Sequence, residues 1–281
     1  MTQYSDRNEF KVLTLGKNTQ YTSKYSPELL QAVPRSLGRE VLDLDETQAF
    51  FGEDVWHAYE LSWLNENGKP IVALGRFSFS SASPNIIESK SFKLYLNSFN
   101  QTQFASTQAV LGVLIEDLTA CCGQLVQVDL YSATETAAFP VTELPGICID
   151  ELDVKISDFE LSPELLAVEN GHQPVEETIH SHLLKSNCLI TSQPDWASVV
   201  ITYSGQKISH QSLLRYLVSF RMHNEFHEQC VERIYIDVLN KCSPTSLSVQ
   251  ALYTRRGGLD INPYRCSFPG ASAPPLRSNR Q

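Results

Sequence analysis

Apolar positions recur along this chain with two periods, and the resulting elements come in the same order twice. From Tyr59 to Leu64 an apolar run leads into Asn65-Glu66-Asn67-Gly68, and β-prone residues resume from Ile71 to Phe79. Two such runs around an Asn-Gly turn predict a β-hairpin. Over 88–99, Phe92, Tyr95, Leu96 and Phe99 share a face at i, i+3, i+4 spacing, which predicts an amphipathic helix. Val110, Val113, Leu114, Leu118 and Cys121 form a second stripe, and Gly123 follows it as a helix stop. Val126, Val128 and Leu130 then alternate with Gln127, Asp129 and Tyr131, the pattern of a half-buried strand.

The order returns downstream. Asn187 to Thr191 and Ala197 to Tyr203 predict a hairpin turning through Gln193-Pro194-Asp195. Leu214, Leu217, Val218 and Phe220 to Met222 suit a helix; Val231, Ile234, Tyr235, Val238, Leu239 and Cys242 suit the next. Leu247, Val249 and Ala251 alternate as a strand. One offset of 121 residues carries Tyr95, Leu96, Ser98 and Phe99 onto Tyr216, Leu217, Ser219 and Phe220, and Val110, Leu118, Cys121 and Val128 onto Val231, Leu239, Cys242 and Val249. The pattern implies a duplicated hairpin–helix–helix–strand unit. The expected division is an N-terminal extension over 1–54, a first unit over 55–131, an acidic connecting segment over 132–180, and a second unit with a C-terminal tail over 181–281. The tail from Ser267 to Gln281 has no pattern that assigns it an element.

Composition narrows the function classes. Among 281 residues, 22 Lys and Arg face 32 Asp and Glu, a net charge of -10. That balance argues against direct nucleic-acid binding and against a polybasic membrane surface. The first residues are polar, without the apolar core of a signal peptide, and no run reaches transmembrane length. Seven cysteines without framework spacing fit reduced thiols in the cytoplasm.

Candidate chemistry concentrates in a few places. Ser186 to Trp196 reads S-N-C-L-I-T-S-Q-P-D-W. The Cys188 thiol is a strong nucleophile, and the Asp195 carboxylate is placed to relay its proton; read alone, the same stretch is a buried thiol beside an ordinary turn. Glu88 precedes the first helix, and His227-Glu228 opens the long second-copy helix. Two acceptor-only carboxylates on one pocket suit a ligand edge rich in N–H donors, such as a 2-amino-4-oxo purine-like ring; helix-start charges are the plainer reading. Lys90, Arg255, Arg256 and Gly257-Gly258 offer a small phosphate-binding spot, and no G-x-G-x-x-G is present. His180-Ser181-His182 sets two imidazoles on one side of an extended strand, with Cys188 and His223 near in sequence. No C-x-x-C or H-E-x-x-H spacing accompanies them, so no metal is expected.

Three motifs, E-S-K-S-F-K-L-Y at 88–95, C-L-I-T-S-Q-P-D-W at 188–196 and F-H-E at 226–228, together resemble the NADPH-dependent 7-cyano-7-deazaguanine reductases, the nitrile reductases of queuosine biosynthesis, in their longer two-module form. The resemblance implies an α+β fold, a tandem pair of tunnelling-fold (T-fold) units whose antiparallel sheets carry two helices on one face. It implies Cys188 as nucleophile, forming a thioimidate, and Asp195 as proton donor. Ile87, Glu88, Ser89, His227 and Glu228 would hold the deazapurine, and Ser89, Lys90, Arg256 and Gly257 would touch NADPH. It also implies a small-molecule substrate and a homodimer. Three other readings stay open: a thiol hydrolase using Cys188, Asp195 and His227, a non-catalytic purine-binding T-fold module, and a zinc-dependent pterin or purine enzyme.

Overall fold

The computed structural model describes residues 21–44, 50–135, 138–157, 159–169, 171 and 173–281. The extension and the connecting segment expected from sequence therefore fall only partly within the described residues. Among these, ten strands and five α-helices form: β1 (Ala32–Pro34), α1 (Ser36–Arg39), β2 (Phe51–Leu64), β3 (Pro70–Ser80), β4 (Asn85–Ile87), α2 (Ser89–Ser98), α3 (Thr107–Cys122), β5 (Gln127–Ser132), β6 (Ile147–Cys148), β7 (Val175–Asn187), β8 (Pro194–Gly205), α4 (His210–Ser219), α5 (His227–Cys242), β9 (Ser246–Tyr253) and β10 (Leu259–Cys266). This is an α+β arrangement, with two helices against one sheet face in each half.

Eight strands make one sheet, ordered β5-β3-β2-β10-β9-β8-β7-β6, while β1 and β4 pair separately. Neighbours in the large sheet run antiparallel, except that β6 lies parallel to β7. The two halves are thus joined rather than merely adjacent. β10 pairs with β2 along its whole length and with β9 over Tyr264–Cys266. Each half keeps a separate apolar core between helices and sheet. One is built around Trp56, Phe77, Phe92 and Leu114, and the other around Tyr216, Ile234, Val249 and Val199. Leu259 and Ile261 of β10 pack into the first of these.

The local chemistry accounts for the turns. In the first hairpin, Asn65 Oδ1 accepts from the Asn67 and Lys69 amides, and Gly68 takes φ +75°, a conformation glycine adopts without strain. The second hairpin differs from the turn expected at 193–195. β7 continues to Asn187, and the turn spans 188–193, closed by the Cys188 amide donating to Gln193 O and the Ser192 amide donating to Cys188 O. Asp195 is therefore a strand residue of β8, opposite Ser186.

The duplication also needs one correction. The offset of 121 holds for α2 and α4, whose N-caps are Glu88 and Ser209. It does not hold for α3 and α5. Their N-caps are Ser106 and Phe226, and their left-handed C-caps are Gly123 and Ser243, each 120 apart. Val110, Leu114, Leu118 and Cys122 are the buried apolar residues of α3, and Cys230, Ile234, Val238 and Cys242 bury the same face of α5. A matching pair of hydrogen bonds gives the same register. Tyr95 donates to Asp117 and Tyr216 donates to Asp237, each at 2.6 Å. The second copy is one residue shorter between its helices. The apolar pattern hides this because α5 is buried on more than one face.

Candidate functional site

The N-terminal segment, the first half and the second half converge on a small pocket. Its walls are Trp56 of β2, Ile86 and Ile87 of β4, Ser89, Cys188, Asp195, the run Glu225 to Glu228, Arg256 and Ile261. β1 fixes one wall by pairing Ala32 with Ile87 and Val33 with Ile86. Val33 and Leu37 pack with Ile86, Leu189 and Phe226 in a small apolar cluster behind it.

Cys188 sits at the mouth of the second hairpin turn and is 4% exposed. Asp195 is equally buried and has two close partners: His227 Nε2 lies 3.1 Å from Oδ2, and the Arg256 guanidinium lies 2.8 Å from Oδ1. The His227 contact is at ion-pair distance, but its angle falls short of a good hydrogen bond. Burial pushes the Asp195 carboxyl up; His227, Arg256 and Lys185 together outweigh that and hold it below the usual carboxylate range. The His227 ring lies over Tyr253, centroids 3.9 Å apart, which fixes its orientation against Asp195.

Glu228 occupies the second position of α5 and is 3% exposed. Burial, reinforced by the negative charge of Asp54, pushes it up to about 8, against the opposing influence of Arg35 and Arg265. Glu225, just upstream, is fully buried but has the opposite character. Burial raises it, yet the hydrogen bond from His223 and the paired guanidinium of Arg233 bring it down to about 2. The two carboxyls on one short segment are therefore driven in opposite directions, Glu228 up and Glu225 down, the kind of separation that marks functional sites.

Glu88 is placed differently from the other expected ring contacts. It caps α2, with Oε1 accepting from the Lys90 amide and Oε2 from the Ser91 amide, both at 2.8 Å. It is buried beside the pocket and is not among its lining residues. Burial raises its carboxyl, while the two helix amides pull the other way.

A second cavity of about 250 Å³ adjoins the first and shares Ser89, His227, Arg256 and Ile261 with it. Lys90, Lys93, Thr191, Gln193, Tyr253, Thr254, Gly257 and Leu259 complete the lining. Three cationic side chains around one cleft, in an acidic protein, suit an anionic ligand. Gly257 has φ +61°, and a β-carbon there would come within 3.0 Å of the Lys93 side chain. Arg255, by contrast, turns away and lies over the Tyr59 ring. Sequence reasoning singled out none of Lys93, Tyr253 and Glu225, although Lys93 lies within the 88–95 motif. Lys93 was recoverable there as one helical turn beyond Lys90, and the other two only from the fold.

Of the donors weighed for a metal, Cys188 and His223 do not join His180 and His182. Cys188 lines the pocket, and His223 Nε2 is paired with Glu225 at 2.9 Å. Among the described residues no helix is long and apolar enough to cross a membrane.

Two family models match the chain in sequence order. Residues 21–130 match the model for the nitrile reductase, 7-cyano-7-deazaguanine-reductase N-terminal domain, and residues 194–269 match the model for the QueF-like protein. A solved structure described as the archaeosine synthase QueF-Like in its apo form matches at 17% identity, over 35% of this chain and 96% of its own, with a TM-score of 0.30. The two family models together take in about two thirds of the chain, and with both modules present in order the protein belongs to the QueF-type 7-cyano-7-deazaguanine reductases, the nitrile reductases of queuosine biosynthesis.

Proposed function

We propose that this chain reduces the nitrile of 7-cyano-7-deazaguanine to an aminomethyl group at the expense of two NADPH, with Cys188 as nucleophile and Asp195 as proton carrier. One observation carries the reading: a buried thiol and a charge-paired carboxylate share a pocket that opens onto a cleft lined by Lys90, Lys93 and Arg256. NADPH, bound there through its phosphates, supplies the hydride.

A nitrile carbon is a poor hydride acceptor. Attack by the Cys188 sulfur forms a C–S bond and converts C≡N to a thioimidate, whose carbon accepts hydride readily. The thiol proton passes through Asp195 to the nitrile nitrogen. Once the first hydride has added, the C–S bond breaks, the Cys188 thiolate leaves, and an imine remains in the pocket. The second hydride and a proton complete the amine, so R–C≡N, two NADPH and two protons become R–CH₂–NH₂ and two NADP⁺. His227 and Arg256 keep Asp195 ionised between proton transfers. The ring is held by Glu228 and His227, with Ile87 and Ser89 as walls. Glu88 Oε2 uses one lone pair on the Ser91 amide and retains a second for a ring N–H.

The test mixes protein, 7-cyano-7-deazaguanine and NADPH, following NADPH absorbance and the mass of the intact chain. Oxidation of two NADPH per substrate is expected, with a covalent adduct on Cys188 when NADPH is omitted. Cys188→Ala is expected to lose both signals while still binding the ring. Absence of NADPH oxidation together with absence of the adduct overturns the reading. The His227–Asp195 pair would equally serve a thiol hydrolase; that alternative predicts turnover of the nitrile without any reduced cofactor.

A further inference from the structure

We propose that Cys148, His180 and His182 form a divalent-cation site, suited by its donors to zinc, at the β6–β7 edge of the sheet. None of the three lines the pocket or the cleft described above. One donor atom from each lies within 4.8 Å of the others. At zinc–sulfur and zinc–nitrogen bond lengths, tetrahedral donors stand about 3.5 Å apart, so small side-chain rotations bring all three onto one ion.

The fold makes this cluster from distant parts of the chain. His180 and His182 are two residues apart on β7 and project to one face. β6 runs parallel alongside and sets Cys148 opposite His180. Each imidazole is also oriented from behind. His180 Nδ1 lies 2.9 Å from Pro145 O, which only accepts, so Nδ1 is the donor there and Nε2 is the nitrogen that the neutral ring offers to a cation. His182 Nδ1 lies 2.8 Å from the buried Ser198 hydroxyl. Asp150 holds the intervening backbone, accepting from the Ser181 hydroxyl and the His182 amide. Imidazoles engaged through one nitrogen by a carbonyl or hydroxyl, with the other left available, are how proteins set histidine ligands. Cys148 is exposed, so a cation reaches it from solvent, and a fourth position remains for water.

On binding, the Cys148 thiol gives up its proton to solvent and coordinates as thiolate. The ion would then cross-link the segment between the two halves to the strand that ends at Asn187, immediately before Cys188. Its role is that of a structural staple.

The experiment uses the full chain without an affinity tag, stripped with chelator and titrated with Co²⁺. The expected result is saturation at one equivalent, with a thiolate-to-cobalt charge-transfer band and tetrahedral visible bands, both abolished by Zn²⁺. Cys148→Ser, an exposed position, should fold normally by circular dichroism and lose the charge-transfer band. His180→Ala and His182→Ala should each weaken binding at least tenfold. Cys188→Ala should retain the full spectrum, which separates this site from the reactive thiol. A titration without the charge-transfer band, or a band that survives Cys148→Ser, overturns the proposal.

Discussion

Glu228 illustrates what a single buried carboxyl does to the whole protein. Its folded-state value is raised to about 8 by burial and by Asp54, whereas an unfolded glutamate titrates near 4.3. Between those values the folded chain binds more protons than the unfolded one. This group's contribution therefore lowers stability as pH rises through that window. Glu228→Gln removes the effect, so urea unfolding should show the variant gaining on the parent between pH 6 and pH 8; a constant gap would contradict the raised value. The same substitution tests ring binding, because a carboxylate that accepts ring N–H groups must first lose its proton. Calorimetry in buffers of different ionisation enthalpy is expected to show proton release on binding by the parent near pH 7, and less release by the variant. At this scale, sequence singled out Cys188, Asp195, His227 and Glu228 by the chemistry of their side chains, and the fold brings these four to one pocket. It did not disclose Glu225, whose charge depends on Arg233 eight residues away. Nor did it disclose Cys148, which strand pairing sets opposite His180 across a stretch of chain that no spacing motif bridges.

At the scale of elements, the two copies of the fold differ in how their helices begin. Ser209 caps α4 in the ordinary way, its side chain accepting from the Ser212 amide. The equivalent cap of α2 is Glu88, a longer side chain that reaches the same kind of amides and leaves a carboxylate beside the pocket. Glu88→Ser is therefore expected to keep the helix, with stability within about 1 kcal/mol of the parent, while weakening binding of 7-cyano-7-deazaguanine. Parent-like affinity in that variant would leave Glu88 as a cap alone. The tyrosine–aspartate pairs give a second comparison. Tyr216→Phe removes the hydroxyl that donates to Asp237 and is expected to cost about 1–3 kcal/mol in urea unfolding. Tyr95→Phe should cost less, because Tyr25 also donates to Asp117, at 2.7 Å. Periodicity made these helices legible because each buries one stripe. It misjudged the α5 register because residues on both sides of that stripe are buried too.

For the whole molecule, the duplication was legible in the sequence and the junction between the copies was not. β10 is buried along its entire length, yet it reads Leu-Asp-Ile-Asn-Pro-Tyr-Arg-Cys, with a proline and three strongly polar residues. Its polar side chains are tolerated because partners from distant segments meet them. Arg265 donates to Asp54 of β2 at 2.7 Å and to Glu232 of α5 at 2.9 Å. Arg35 and Arg39 of the N-terminal segment reach the same two carboxylates, at 2.6 Å and 2.8 Å respectively. Burial pushes both carboxyls up, and the guanidinium groups outweigh it, holding Asp54 and Glu232 below their ordinary values. Their contribution is present above the usual carboxylate range and is lost as pH falls through the depressed values. Arg265→Met leaves two buried carboxylates short of a partner and is expected to cost about 3–5 kcal/mol. Arg265→Lys keeps the charge but not the fork that bridges both acids, so it should fall between the parent and Arg265→Met. Because Glu232 lies one turn along α5 from Glu228, the Met variant is also expected to bind the deazapurine more weakly. Unfolding curves for the two variants, measured beside ring affinity at neutral pH, test both effects; equal stability of Lys and Met variants would show that charge at this junction does not hold the halves together.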